Sequence, residues 1–197
     1  MSKRLDMLIC VVPKIFPDAP TVGPAVLKAH LNDAGFSCEV IDLNIKLFNE
    51  FEKHGDEKQF FDQDAAFRCR EVDKINEVFG ENYKKYKYVF DEWMDLFKQK
   101  NPKWIGLSLL SSMSTAVAIK LSQLIREHLP ETKIVWGGAE VTVGRTSNYV
   151  EQGLIDHFIG GDGEIPIVEL LKGNNEHKGI DDNAPYQMID LDSVKIP

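Results

Sequence analysis

Serine and threonine side chains crowd the chain where an apolar run at residues 104–110 ends. These hydroxyl residues are Ser108, Ser111, Ser112, Ser114 and Thr115. An apolar run of this length is typical of a buried strand, and ligands bind outside the carboxyl ends of the strands in an open parallel sheet. The chemistry that this segment offers is hydrogen bonding to a ligand by small hydroxyls and backbone groups.

Small residues also end three other apolar runs. Pro13 ends the first run, Gly137-Gly138-Ala139 ends another, and Gly161-Asp162-Gly163-Glu164 ends the last. A glycine lets a ligand approach the backbone closely, although any one of these glycines could equally serve a tight turn. Their joint occurrence where parallel strands are expected to end favours a binding site for a broad, mostly neutral ligand.

Motifs for phosphate binding or nucleophilic catalysis are absent from the sequence. It has no Gly-x-x-x-x-Gly-Lys-Ser/Thr loop, no Gly-x-Gly-x-x-Gly after the first run and no Gly-x-Ser-x-Gly elbow. No histidine stands at a predicted strand end, and Cys10, Cys38 and Cys69 form no Cys-x-x-Cys pair. We therefore predict neither catalytic residues nor protein ligands to a metal. Unpaired thiols are typical of the reducing cytoplasm, where we expect the protein to reside.

The charge balance bears on possible partners. The net charge is −8, whereas binding to nucleic acid depends on clusters of lysine and arginine. No apolar stretch approaches the roughly 20 residues that cross a bilayer. We therefore expect neither a nucleic acid nor a membrane as a partner.

Strand and helix patterns alternate along most of the chain. Strands are predicted at residues 5–12, 38–43, 104–110, 133–136 and 155–159, and helices start near Pro24, at Ser114 or Thr115 as the N-cap, near residue 148 and near residue 165. Residues 44–103 interrupt this rhythm with most of the aromatic residues. Tyr86, Phe90, Trp93, Met94 and Phe97 recur there at helical spacing. That stripe favours packing of a helical insertion over an aromatic cage for a ligand.

The alternation predicts an α/β fold. We expect a five-stranded parallel sheet in a flavodoxin-like (Rossmann-like) three-layer sandwich, with a helical insertion at about residues 44–103 between strands 2 and 3. The domain is predicted to span residues 1–173. The polar composition of residues 174–197 predicts a linker or C-terminal extension.

The same residues resemble a known family in their order and spacing. The resemblance rests on Ile105-Gly106-Leu107-Ser108, Ser112, Gly137-Gly138-Ala139, Gly161-Asp162-Gly163-Glu164, Pro20-x-x-Gly23, Leu27-x-x-x-Leu31-x-x-x-Gly35, Val40-x-Asp42 and Pro102-Lys-Trp-Ile-Gly106. Together they resemble the cobalamin-binding domain at the N-terminus of cobalamin-dependent radical S-adenosylmethionine enzymes. The resemblance extends from about Leu5 to Leu171.

The resemblance implies a corrin ring on the carboxyl edge of the sheet, with its nucleotide tail passing down beside the strands. One wall of that site would be formed by Ser108, Leu109, Leu110 and Ser112. A second wall would be formed by Gly137, Gly138 and Ala139. Contacts to the corrin side chains or the tail would come from Gly161, Asp162, Gly163 and Glu164, with Pro13 at the first strand end.

Two features of related proteins are missing from this sequence. The loop at residues 13–23 lacks the Asp-x-His-x-x-Gly motif of methionine synthase and the mutases, so we expect cobalamin to bind without a protein histidine on cobalt. The Cys-x-x-x-Cys-x-x-Cys motif that holds the family's iron–sulfur cluster is also absent. The 4Fe-4S cluster and S-adenosylmethionine would therefore belong to a catalytic domain in cis or in trans.

The resemblance implies a cobalamin-binding module of a radical S-adenosylmethionine enzyme of the methyltransferase type, which is not catalytic by itself. Bound cobalamin would make it a cobalt-containing, metal-binding protein. The alternative hypothesis is a cofactor-free flavodoxin-like module for protein interaction or regulation, with the aromatic insertion as its contact surface.

Overall fold

The predicted parallel sheet is present in the computed structural model, which describes residues 4–17, 21–61, 69–82, 84–182, 184–188 and 190. All strand pairs are parallel and the order is β2-β1-β3-β4-β5, which confirms the flavodoxin-like arrangement. The strands are β1 (Met7–Val11), β2 (Cys38–Asp42), β3 (Trp104–Ser108), β4 (Lys133–Gly137) and β5 (His157–Phe158).

Helices cover both faces of this sheet. They are α1 (Val22–Asp33), α2 (Leu43–Lys53), α3 (Glu57–Phe61), α4 (Ile75–Asn82), α5 (Lys87–Lys100), α6 (Ser114–His128), α7 (Val143–Glu151) and α8 (Glu164–Lys172), with a 3₁₀ turn at Lys84–Tyr86. Helices α1 and α8 pack on the face that carries Met7, Ile9 and Val135. Helices α2 to α5, which form the insertion between β2 and β3, pack with α6 on the opposite face, against Leu8 and Leu107. The result is the expected three-layer sandwich.

Two helix starts differ from the sequence prediction. The prediction that Ser114 or Thr115 caps α6 is wrong, because the N-cap residue is Met113 and no side chain caps the helix. The buried Ser114 hydroxyl instead donates a hydrogen bond to the Val12 carbonyl at 3.1 Å. Helix α7 begins at Val143, earlier than predicted, because its first turns carry polar residues that leave no apolar stripe to recognise.

The aromatic stripe of the insertion packs the helices. Tyr86, Phe90, Trp93, Met94 and Phe97 are buried in one core with the central strands. The Phe51 and Tyr86 rings stack with centroids 4.2 Å apart. Burial at helical spacing agrees with the packing interpretation, so these rings are not free to form a ligand cage.

The amino end of the sheet is held by a carboxylate. Asp6 Oδ2 accepts hydrogen bonds from the Ser37 N–H at 2.9 Å and the Ser37 hydroxyl at 2.7 Å. Asp6 Oδ1 accepts one from Lys103 Nζ at 2.7 Å. The hydrogen bond from Lys103, which has the largest effect, and those from Ser37 hold the pKa of Asp6 well below its usual range. The contacts join the start of β1 to the approaches of β2 and β3.

We expect this carboxylate to make stability depend on acid pH. Because folding lowers the pKa of Asp6, the ionised carboxylate stabilises the folded protein. This contribution to the free energy of unfolding is complete above about pH 4, where the carboxyl is also ionised in the unfolded chain. It is lost as the pH falls towards the pKa of Asp6 in the folded protein. Asp6→Asn should cost about 1–3 kcal/mol at neutral pH and flatten the acid side of a Tm-against-pH curve between about pH 2 and 6. Parallel curves for the two proteins would contradict this role.

Within the described part of the chain, no helix has the length and apolar character that crossing a membrane requires. The predicted domain limit at residue 173 stays a prediction. Two stretches after it, 179–182 and 184–188, lie against β5 and the residues that follow it. Residues 191–197 of the predicted extension at 174–197, and Pro20, lie outside the described residues.

Candidate functional site

A cavity of about 220 Å³ lies between the sheet, α1 and α8. It reaches from the small residues at the carboxyl ends of β3, β4 and β5 down the face of the sheet to Met7. Met7 pairs with Trp104 at the start of β3, whereas Ser108 ends that strand. The cavity therefore follows the strands over most of their length and opens at the edge where parallel sheets bind ligands.

Gly106 lets the Met7 side chain pack against β3 at the floor of the cavity. It lies in the middle of β3, between Ile9 of β1 and Val135 of β4. A Cβ atom at this position would lie 2.7 Å from Met7 Cε and 3.7 Å from Ile9 Cγ1. Leu27 of α1 and Ile167 of α8 line the cavity from the helical side. The floor is apolar because the aliphatic side chains of Met7 and Ile9 pack beside Gly106 and close it.

Two residues at the mouth of this cavity each have an oxygen atom without a hydrogen-bond partner among the described residues. Thr21 is the N-cap residue of α1, but its hydroxyl makes no capping hydrogen bond. Glu164 is the first residue of α8. Thr21 Oγ1 and Glu164 Oε2 are both buried without a hydrogen-bond partner among the described residues, and both residues line the cavity. Buried polar atoms are nearly always hydrogen-bonded, so these two oxygens are exceptions within the described part of the chain.

The ends of β3 and β4 are locked together by backbone contacts. The Leu109 N–H donates to the Gly137 carbonyl at 2.7 Å, and the Leu109 carbonyl accepts from the Glu140 N–H at 3.1 Å. Gly138 has φ +102°, and a Cβ atom there would lie 2.4 Å from the Leu109 carbonyl oxygen. Only glycine fits this crossing, which fixes the shape of the mouth.

The end of β5 is held from the other side by the segment after α8. The Asp162 N–H donates to the Tyr186 carbonyl and the Tyr186 N–H to the Gly160 carbonyl, each at 2.9 Å. Asp162 Oδ2 accepts from the Met188 N–H at 2.8 Å. Gly161 has φ +84°, and a Cβ atom there would lie 2.1 Å from the Tyr186 oxygen. Glycine at position 161 therefore permits both the positive φ of the turn and the close approach of the Tyr186 carbonyl.

The structure brings eight of the twelve predicted site residues to the cavity. These are Ser108, Leu110, Gly137, Gly138, Gly161, Asp162, Gly163 and Glu164. They come from three separate strand ends, as the sequence pattern predicts for one shared edge.

The other four predicted residues lie elsewhere. Pro13 is buried away from the cavity, and Leu109 is buried in the core of the opposite sheet face. Ser112 and Ala139 lie outside the cavity lining, with Ser112 exposed. The Ser112 carbonyl accepts a hydrogen bond from the Arg70 guanidinium of the insertion. After β3 ends, the chain turns, so adjacent residues no longer share one surface.

Sequence reasoning missed most of the cavity's depth. Gly106, Met7, Ile9, Leu27 and Ile167 line it, but none was predicted as a site residue. Gly106 carried the one available signal, since a glycine inside a strand marks close approach of another group. The apolar residues could not be told from ordinary core by pattern alone.

The thiols of Cys10 and Cys38 are both buried. Burial raises the pKa of the Cys38 thiol to about 12 and raises that of Cys10 still further, so neither thiol is ionised at neutral pH. Among the described residues, no three His, Cys, Asp or Glu side chains are grouped to hold a metal ion. His157 is paired with Asp181, Nδ1 to Oδ2 at 2.6 Å, outside the cavity.

Comparison with known proteins gives structural matches alone. No protein-family model and no curated protein matches the chain. The fold is similar to part of the radical S-adenosylmethionine methyltransferase TsrM from Kitasatospora setae with cobalamin and a 4Fe-4S cluster bound. The TM-score is 0.53 at 18% identity, over 90% of this chain and 26% of that chain.

A second structure of TsrM, with tryptophan substrate and an S-adenosylmethionine analogue, aza-SAM, gives a TM-score of 0.52 at 19% identity. That match covers 90% of this chain and 28% of the other. At such identities the likeness shows the fold. The chain thus has the fold of about a quarter of a methyltransferase whose structure contains cobalamin.

Proposed function

We propose that this chain is a cobalamin-binding module. The observation that carries the proposal is the glycine-floored cavity between α1 and α8, which opens among the small residues at the carboxyl edge. The family resemblance of the sequence motifs and the match to a cobalamin-containing structure support it independently.

The size of the cavity suits part of such a ligand. Its volume of about 220 Å³ is below the roughly 300–1,000 Å³ of pockets that enclose a whole drug-sized ligand. A flat ring of the nucleotide tail would occupy it, and the much larger corrin would lie outside on the edge. The apolar cavity would then surround the ring of the tail, and the open, glycine-rich edge of the sheet would support the corrin.

Residues at the mouth would hold the ligand by their backbone and small side chains. Gly137 and Gly138 leave the β4 end free of side-chain atoms, and Ser108 offers a hydroxyl beside them. Thr21 Oγ1 and Glu164 Oε2 would accept hydrogen bonds from donors on the tail. Bound cobalamin would supply a cobalt centre able to carry a methyl group. No side chain of the loop at 13–23 is a histidine, so that loop has no imidazole to offer the metal.

We further propose that the catalytic domain of a radical S-adenosylmethionine enzyme acts with this module, in cis or in trans. The structure of the matched methyltransferase has cobalamin and a 4Fe-4S cluster bound, and the match covers about a quarter of that chain. The 197-residue sequence lacks the Cys-x-x-x-Cys-x-x-Cys motif. This chain's own residues would position the cofactor, and the partner domain would supply the iron–sulfur chemistry.

A titration with hydroxocobalamin tests the proposed function. We expect a shifted visible spectrum and co-elution of cobalamin with the protein in gel filtration. Ser108→Trp should weaken binding by roughly 100-fold or more, because its indole would fill the mouth. Lys98→Trp, on α5 in the opposite layer, should bind as the unmodified chain does. Circular dichroism verifies that both variants are folded.

Two results would contradict the proposal. One is an unchanged spectrum of folded, unmodified protein at high hydroxocobalamin concentration. The other is equal affinity of the Ser108→Trp and Lys98→Trp proteins, which would remove the cavity mouth from the binding site.

A further inference from the structure

A second cavity lies among the helices α4, α5 and α6, on the face of the sheet opposite to α1 and α8. Its volume is about 300 Å³. Pockets that enclose a small organic ligand measure roughly 300–1,000 Å³, so this cavity is at the lower end of that range. It shares no lining residue with the cavity beside α1 and α8. A ligand bound here would therefore be separate from one bound at the carboxyl edge.

Aromatic rings form one wall of this second cavity. Phe79 of α4 and Phe90 of α5 are buried and meet edge to face, with ring centroids 5.8 Å apart and an interplanar angle of 89°. Trp93 supports Phe90 from within α5, at a centroid distance of 5.0 Å. Leu124 of α6 adds an aliphatic side chain to the lining. Aromatic rings attract a further ring in edge-to-face or offset geometry, so this wall suits an aromatic group.

The polar part of the lining is positively charged. It contains three lysines, Lys84, Lys87 and Lys120, and one carboxylate, Asp91. Lys87 Nζ pairs with Asp91 Oδ2 at 2.7 Å. Among the described residues, Lys84 and Lys120 make no ion pair, and Lys120 Nζ donates to the neutral amide oxygen of Asn76. Two ammonium groups thus remain without a paired carboxylate, on a chain whose net charge is −8.

Lys120 has the most to gain from an anion. It is half-buried on α6, and this burial lowers its pKa because the charged form loses water. A carboxylate within hydrogen-bond reach would replace that water with a charge-assisted hydrogen bond, which is stronger than the bond to a neutral amide. The attraction is also less screened at a half-buried position than on the open surface.

We propose that this cavity is a second binding site, which takes an aromatic monocarboxylate. The ring would pack against Phe79 and Phe90, and the carboxylate would pair with Lys120. A neutral aromatic molecule would gain the ring contacts alone. An aromatic ammonium ion would meet like charges at the rim and be repelled. The site is independent of the proposed function, because it uses other residues on the other face of the sheet.

Three probes with the same ring system test the site on the full chain: naphthoate, naphthylmethanol and naphthylmethylammonium. Isothermal titration should show that naphthoate binds at least about ten-fold more tightly than naphthylmethanol, and that the ammonium ion binds most weakly. Lys120→Met keeps an unbranched apolar stem and removes the charge. It should weaken naphthoate by about ten-fold or more and leave naphthylmethanol nearly unchanged.

Lys98→Met is the matched control. Lys98 lies on α5 and outside the cavity lining, so its replacement removes the same charge from the chain and should leave the affinity for naphthoate unchanged. Leu124→Trp provides a second variant, since its indole would occupy the cavity and abolish binding of both naphthoate and naphthylmethanol. Circular dichroism verifies that each variant is folded.

Three results would overturn the inference. One is naphthoate binding no more tightly than naphthylmethanol to the unmodified chain. Another is an equal loss of naphthoate affinity in Lys120→Met and Lys98→Met, which would reduce the effect to net charge. The third is full naphthoate affinity in folded Leu124→Trp protein, which would place the probe elsewhere. None of these results bears on the binding of hydroxocobalamin, which is titrated separately.

Discussion

Replacement of Gly106 by leucine should abolish cobalamin binding, with a loss of affinity of roughly 100-fold or more. The leucine side chain would project from the middle of β3 into the cavity floor. Its Cβ atom would approach Met7 Cε to 2.7 Å, and this end of a flexible side chain can move aside. The remaining leucine atoms would then occupy the space that we assign to the tail ring. We expect the folded state to tolerate an apolar side chain in an apolar cavity.

The matched control is Gly80→Leu on α4. Gly80 is exposed, and a Cβ atom there would meet nothing within 4 Å. Isothermal titration of hydroxocobalamin into both variants, with thermal unfolding in parallel, separates loss of binding from loss of fold. Retention of full affinity by a folded Gly106→Leu protein would show that the cavity is not used.

Two adjacent glycines should differ sharply in how much their replacement by alanine changes the free energy of unfolding. Gly138→Ala is expected to destabilise the protein by at least about 1–3 kcal/mol, because φ is +102° and the new Cβ would lie 2.4 Å from the Leu109 carbonyl oxygen. That oxygen is backbone, so relief requires the ends of β3 and β4 to separate. Gly137→Ala places its Cβ 3.9 Å from the Ile159 oxygen, an ordinary contact, and should shift stability by less than about 1 kcal/mol.

Urea unfolding measures this difference as a change in midpoint at constant slope. We expect a clearly lower midpoint for Gly138→Ala and a nearly unchanged one for Gly137→Ala. Equal midpoints would mean that the crossing of the two strand ends is looser than the structure shows.

The fold is largely predictable because apolar runs and helical periodicity are local properties of the sequence. The four longer strands and their crossovers follow from apolar runs that alternate with helical stripes. The last strand was predicted too long, at residues 155–159 against His157–Phe158. Ile155 is buried, but its N–H bonds to the Tyr149 carbonyl at the end of α7 and not to β4. An apolar run indicates that its residues are buried, but it does not indicate which backbone group each residue hydrogen-bonds to.

The candidate site was predictable at its edge and not in its depth. Strand ends are marked in the sequence by glycine and serine, so Ser108, Gly138 and Gly161 could be assigned to one edge. The apolar floor of the cavity depends on the contact between Gly106 and Met7, which are about 100 positions apart in the sequence. The unpartnered oxygens of Thr21 and Glu164 depend on side-chain burial, for which no sequence motif exists.

The segment after α8 has a consequence beyond the binding site. Strand β5 has two residues and lies at the edge of the sheet, where unpaired N–H and C=O groups can recruit a strand from another molecule. Here the Gly160 N–H donates to the Gly179 carbonyl and the Asp181 N–H to the Phe158 carbonyl. Asp181 Oδ1 also accepts from the Phe158 N–H at 2.8 Å. The chain thereby pairs the outward backbone groups of the β5 edge with its own later segment, so a strand of another molecule has fewer free groups to join there.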